Sequence, residues 1–344
     1  MLFSAAIPMP AGGLTLTGMT GAMWMPVRPP TLERVLAWHP QPIPVLPLLV
    51  VALLALYGCG VLILFRRGIR WPLGRSLWWL AGAATILLVT ATGIEGYGME
   101  LFSIHMVQHM VLNMLAPVFL VLGAPITLLL RALPAGSGPK GLLRRGVLWL
   151  LHTRAAALLT HPVVTFALFI TSLYGLYFTP AFDYLMGTWW GHNLMLVHFL
   201  LIGYLYFWGV LGVDPSPRKS ARGLRALTGA VLPVLELAAT APFHAFFGIV
   251  VMMSSRLLVR FYSGGMPAWH VSPLADQATG GGIAWVFTEL PTLIVLGALV
   301  FKWQKSDSRA ARASERRLER GEDSELENYN EYLQALNPRT GSRR

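Results

Sequence analysis

A chain of 344 residues that is 55% hydrophobic and only 12% charged lies far from a soluble domain, where about a quarter of residues carry charge. Its formal net charge of +11 would suit a nucleic-acid binder, but the basic residues fall in short loops between long apolar runs. That placement reads as membrane topology with lipid as the surroundings, and it excludes nucleic acid as a partner. The lone Cys59 excludes an internal disulfide framework and a CxxC metal motif, and reads as a small packed hydrophobe.

Residues 1–44 read as an extracytoplasmic, irregular, Pro-rich tail. They are not expected to act as a signal peptide, because Met1 to Met25 has no basic n-region and Gly and Pro interrupt it. Every residue from Val45 to Phe65 is uncharged, enough at about 1.5 Å per residue to cross an apolar core of about 30 Å. In lipid such a run must be helical, since unpaired backbone groups there are costly. Spans are expected at 45–65, 77–94, 102–130, 161–179, 190–212, 228–252 and 283–303. The expected fold is therefore all-α, a polytopic membrane helix bundle of about seven transmembrane helices filling residues 45–303. Pro117 and Pro125 should kink or end the long third span.

Charge orients the bundle. Arg66, Arg67, Arg70 and Arg75 follow the first span; Arg131, Lys140, Arg144, Arg145 and Arg154 follow the third; Arg218, Lys219, Arg222 and Arg225 follow the fifth. The alternate loops are poorer, with no basic residue at 95–101 or 180–189 and with Arg256 and Arg260 in the longer 253–282 loop. The positive-inside rule puts the basic loops in the cytoplasm, the N-terminus outside and the C-terminus inside, as for a multi-pass protein of a bacterial plasma membrane. Residues 304–344 form a charged cytoplasmic tail in which Leu326, Tyr329, Leu333 and Leu336 recur at helical spacing. They read either as an amphipathic helix that docks on a partner or as a solvated tail.

The histidines collect at one depth. His105 and His109 open the third span, His192 and His198 open the fifth, and His244 lies about two turns before the outer end of the sixth. Glu289 lies about two turns into the seventh, and His270 and Asp276 sit in the loop before it, where Gly280 to Gly282 could help cap the layer. At about 1.5 Å per residue, four helices bring ionisable groups to one outer layer. Such groups are costly in a membrane and mark functional paths. His105 and His109 are i, i+4 and share a helix face, so they can offer two imidazoles to one metal, while His192 and His198 are about 120° apart on theirs. Met106, Met110 and Met195 lie in the same layer, and thioether with imidazole suits copper. The bland reading is that the histidines are hydrogen-bonded packing residues and the methionines core. His152 and His161 read that way, and His39 reads as exposed. Pro242 inside the sixth span should free the carbonyl of Ala238 beside His244.

His105-Met106-Val107-Gln108-His109, then Leu115-Ala116-Pro117 and Leu122-Gly123-Ala124-Pro125, resemble the signature of the CtaG family of caa3-type cytochrome c oxidase assembly factors. Further matches are Arg67-Gly68 with Trp71-Pro72 and Arg75, His192 and His198, Gly212 with Asp214-Pro215, Pro242 with His244, and Asp276-Gln277 with Trp285. The similarity runs from about Trp38 to Trp303 and is greatest to members from high-GC Gram-positive bacteria. His39-Pro40 departs from the family pattern, which has an acidic residue before the proline. The resemblance implies a non-enzymatic role in maturing a haem-copper oxidase, with that oxidase's subunits as partners and copper as the metal handled at an extracytoplasmic centre. The ligand candidates are His105, His109, His192, His198, His244, Asp276 and Glu289. Two other readings stay open: a haem-binding membrane redox protein with His109 and His198 as axial ligands, and a copper or proton transporter.

Overall fold

The computed structural model describes residues 23–136, 138–217, 225–287, 289–319, 329–333 and 335, with the side chains of 225–231, 289–290 and a few positions beyond 301 outside the description. The chain divides into two compact units, Met1–Val295 and Leu296–Arg344. The first holds the bundle. Its helices are α1 (Leu32–Leu36), α2 (Val45–Arg66), α3 (Leu73–Thr90), α4 (Gly93–Glu100), α5 (Phe102–Met110), α6 (Ala116–Leu122), α7 (Pro125–Ala132), α8 (Leu142–His152), α9 (Arg154–Leu159), α10 (Pro162–Tyr177), α11 (Ala181–Met186), α12 (Trp189–Leu211), α13 (Arg225–Met253), α14 (Pro273–Phe287) and the start of α15 (Glu289–Glu319). No strand occurs among the described residues.

Six stretches are long and apolar enough to cross a membrane: Val45–Arg66, Leu73–Thr90, Phe102–Ala132, Trp189–Leu211, Leu232–Met253 and Pro273–Arg316. The expected span at 161–179 corresponds to α10, whose 16 residues make it shorter than these. The last span also begins earlier than expected. Asp276, Gln277 and Gly280 to Gly282 belong to α14 and not to a capping loop. The glycines are there for packing: a Cβ at Gly281 would stand 2.4 Å from the Met252 backbone nitrogen, and one at Gly248 would stand 2.7 Å from that of Trp285. Small residues let α13 and α14 approach backbone to backbone, the usual means of holding helices together in lipid.

Phe102–Ala132 is the centre of the bundle, with 67% of its span buried against 22% for Val45–Arg66. It is not one straight helix. A π-helical turn, Val111–Leu115, separates α5 from α6, and Ala124 at φ 51° separates α6 from α7. Pro125 sits in the first turn of α7, where a missing N–H costs nothing, while Pro117 follows directly on the π turn inside a continuous helical stretch. Pro242 likewise lies inside α13 without ending it.

Two distant aspartates cap this broken rod. Asp276 accepts hydrogen bonds from the backbone N–H groups of Phe102 (2.6 Å) and Ser103 (3.3 Å) at the start of α5, and from the Ser103 hydroxyl. Asp214 accepts from the N–H groups of Ile126 (3.0 Å) and Thr127 (2.8 Å) at the start of α7. Each satisfies orphan donors that a helix start cannot pair internally. Asp214→Ala and Asp276→Ala should each lower stability by about 0.5–2 kcal/mol, the usual worth of an N-cap, read as a lower melting temperature in detergent. An unchanged melting temperature would show that water replaces the caps.

The segment expected as an irregular tail is tied down from residue 23 onward. Gln41 and the Trp24 backbone exchange two hydrogen bonds (2.7 and 3.0 Å), and the Tyr97 hydroxyl donates to the Arg28 carbonyl at 3.0 Å. These contacts press the segment onto α4, a helix where the sequence predicts a loop, and α4 is buried from Gly93 to Met99. In the second unit, α15 continues to Glu319. Of the four apolar positions spaced along the tail, Tyr329 and Leu333 are helical and exposed, and Leu326 and Leu336 lie outside the described residues.

Candidate functional site

The helix starts and ends at one end of the bundle deliver the site. α5 carries His105 and His109, α12 carries His192, α13 carries His244, and the short α4 carries Glu95. The four imidazoles are fully buried and Glu95 is 2% exposed.

His105 and His192 face each other, with ring centroids 6.1 Å apart. Phe182 meets the His105 ring edge-on at 5.1 Å, and Tyr177 and Tyr262 stand at 6.4 Å. Glu95 Oε1 lies 4.0 Å from His192 Nδ1, too far for a hydrogen bond. Burial pushes the Glu95 carboxyl up to about 8. One turn along α5, His109 shares a 2.6 Å hydrogen bond between Nδ1 and the Tyr177 hydroxyl, and its ring stacks on Phe199 at 3.7 Å. His244 stands beside Phe169, at 5.2 Å.

Among the described residues, both ring nitrogens of His105, His192 and His244 have no hydrogen-bond partner, nor do His109 Nε2, Glu95 Oε2 and Asn113 Oδ1. A buried polar atom left unpaired costs about 1–3 kcal/mol. Trp79 Nε1, Trp208 Nε1 and Gln108 Oε1 are also unpaired, but the concentration of imidazole nitrogens around α5 points to a ligand or bound water. The donors fit a transition metal, since neutral imidazole is a common metal ligand. An imidazole bound at about 2.0–2.1 Å puts its ring centroid roughly 3 Å from the ion, so two ligands of one ion stand at most roughly 6 Å apart. His105 and His192 are at that limit. No three His, Cys, Asp or Glu side chains among the described residues already close into a metal shell.

Of the expected layer, His105 and His192 come face to face, His109 lies one turn on along α5, and His244 stands beside Phe169. His198 is not among them: it is on the exposed face of α12, bonded through Nε2 to the Ser172 hydroxyl at 2.6 Å. Six residues beyond His192 is about 120° around the helix, which turns one side chain outward when the other faces in. Asp276 has its carboxylate committed to capping α5, the side chain of Glu289 lies outside the described residues, and His270 is exposed at φ 55°. Sequence reasoning missed Glu95 and Tyr177. Glu95 had a signal, because Glu95 and Glu100 are the only charged residues between Ser76 and Leu130, and acids in such surroundings mark function. Tyr177 had none, since its contact depends on how α10 packs.

A protein-family model, Cytochrome c oxidase caa3 assembly factor (Caa3_CtaG), matches residues 55–306, which include every residue of this site. The chain is 43% identical over 313 residues to uncharacterized protein Mb0105 of Mycobacterium bovis and to uncharacterized protein MT0111 of Mycobacterium tuberculosis, covering 90% of this chain and 46% of each relative. It is 43% identical over 287 residues to uncharacterized protein ML1998 of Mycobacterium leprae, covering 81% of this chain and 42% of that relative. The chain spans about half the length of these curated relatives or less. No solved structure matches it.

Proposed function

We infer that this chain, which belongs to the cytochrome c oxidase caa3 assembly factor family, handles copper at the extracytoplasmic end of its helix bundle and passes it to a haem-copper oxidase subunit, catalysing no reaction of its own. The observation that carries this reading is the buried pair His105 and His192, 6.1 Å apart with all four ring nitrogens unpartnered among the described residues. Two imidazoles at the reach of one ion are what a carrier needs: enough to hold copper, too few to keep it from a better-furnished acceptor. His109, tied to Tyr177 and stacked on Phe199, would line the route and not hold the ion.

The haem reading gains no support from the geometry. His109 is sandwiched by aromatic rings and His198 is bonded on the exposed face, so the two do not frame a space for a porphyrin. Purified protein titrated with copper under reducing conditions should bind about one equivalent and show no Soret absorption. A Soret band without copper uptake would replace this reading with the haem one.

The outward orientation rests on the Arg-rich loops. With Cys59 replaced by serine, single cysteines at Ser137 and Gly187 should react with an impermeant maleimide from opposite sides, Gly187 in intact cells and Ser137 only after lysis. Labelling of Ser137 in intact cells would invert the bundle and with it the proposed side of delivery.

A further inference from the structure

We propose that Glu95 is a third donor to the ion held by His105 and His192, and that its carboxylate fits the site to divalent copper in preference to the cuprous ion. The proposal rests on the copper reading above. It starts from position. Glu95 is buried on α4 beside His192, one oxygen 4.0 Å from His192 Nδ1 and the other without a partner among the described residues, and His192 in turn faces His105. Two atoms bound to one ion at about 2.0–2.2 Å can stand up to roughly 4.2 Å apart, so the glutamate and His192 already lie within the span of a shared ion. The three side chains do not form a closed shell as they stand, so the site assembles on the ion it takes.

The other acids at this end have different employment. Asp276 caps α5, Asp183 accepts a hydrogen bond from the Phe261 N–H at 2.9 Å, and Glu100 is partly exposed. The backbone of α4 that carries Glu95 is held firmly. Thr92 caps its helix, the Tyr262 hydroxyl donates to the Gly98 carbonyl at 2.7 Å, and the N-terminal segment covers the far face through Trp24 and Arg28. A buried carboxylate without a cation is costly, and a doubly charged ion among neutral imidazoles alone is costly too. Each removes the other's cost. Two imidazoles and a carboxylate are a harder donor set than imidazole with thioether, and harder donors favour Cu(II) over Cu(I).

The test compares wild type, Glu95→Gln, Glu95→Asp, Glu100→Gln and His105→Ala in detergent, titrated with Cu(II) in air and with Cu(I) under anaerobic reducing conditions. Glu95→Gln should weaken Cu(II) at least tenfold, leave Cu(I) within about twofold, and change the copper hyperfine splitting in the electron paramagnetic resonance spectrum. Glu100→Gln should match wild type. Glu95→Asp keeps the charge, so it should keep a bound Cu(II) signal with altered splitting, and it serves if the glutamine variant does not fold. Equal loss of both copper forms in Glu95→Gln, or an unchanged Cu(II) spectrum in both Glu95 variants, would overturn the assignment while leaving the copper reading intact. Copper binding untouched in His105→Ala would overturn both.

Discussion

His105→Ala and His192→Ala should lower copper bound per folded molecule at least tenfold and reduce oxidase activity in the host, whereas His161→Ala should change neither. Removing groups that only orient metal ligands already costs 10–100-fold in affinity in many sites, and removing a direct ligand should cost no less. Alanine also leaves a void in a fully buried place, so His105→Gln, which keeps most of the volume, should show the same copper loss with a smaller drop in melting temperature. His161 is exposed at the start of α10, at the other end of that helix from Tyr177, and it reports on nonspecific effects. Copper added to the medium should partly restore oxidase activity in the histidine variants if delivery is their sole defect. Should His105→Ala and His161→Ala lower protein abundance equally and leave copper per molecule unchanged, the histidines would be packing residues and the metal assignment would fall.

The second large effect is on folding. Gly203→Ala should abolish recovery of monodisperse protein, although it adds one methyl group. The new Cβ would stand 2.1 Å from the Asn113 carbonyl oxygen and 2.8 Å from Pro117 Cγ, so α12 would have to back away from the π turn along its length. Overpacking a core costs about 1–3 kcal/mol when side chains can yield; here backbone meets backbone, and the cost should sit at or above that range. Gly58→Ala is the control. Nothing lies within 4 Å of a Cβ there, and alanine is the better helix former by about 1 kcal/mol. Size-exclusion profiles and melting curves of the two variants would settle the point, and a Gly203→Ala protein that melts like wild type would show that the helices have room to separate.

Helical character and the membrane class were legible in the sequence because long uncharged runs leave lipid-embedded backbone no other solution. Counting residues from span ends groups His105, His109, His192, His198, His244 and Glu289 in one layer, and of these His105 and His192 stand face to face. Direction was harder. His198 shares the depth of the cluster but faces outward, and rotation about an axis depends on which neighbour a helix packs against. Asp276 was read as chemistry because an acid near histidines suggests a ligand, yet its partners are the N–H groups of a helix start 174 residues earlier in the chain. Glu95 was overlooked for the opposite reason: α4, too short to look like a span, passed for a loop, and loops are allowed their acids.

The π turn at Val111–Leu115 takes up one residue of chain length between the site and the rest of its span. Its ring closes over one residue more than an α-helical turn, with the Ala116 N–H reaching back to the Val111 carbonyl. Beyond it, α6 is anchored by α3 and α12, and before it α5 is pinned by Asp276. Deleting one residue within 111–115 would restore an α-helical turn and, because the extra residue and its rotation of about 100° go together, would leave His105 and His109 facing His192 and Tyr177 as they do now. Straightening the turn at full length, by contrast, would swing both histidines about 100° around relative to α6. The π turn is thus a register absorber, and a chain that lost the bulge while keeping the residue would keep its span and scatter its histidines.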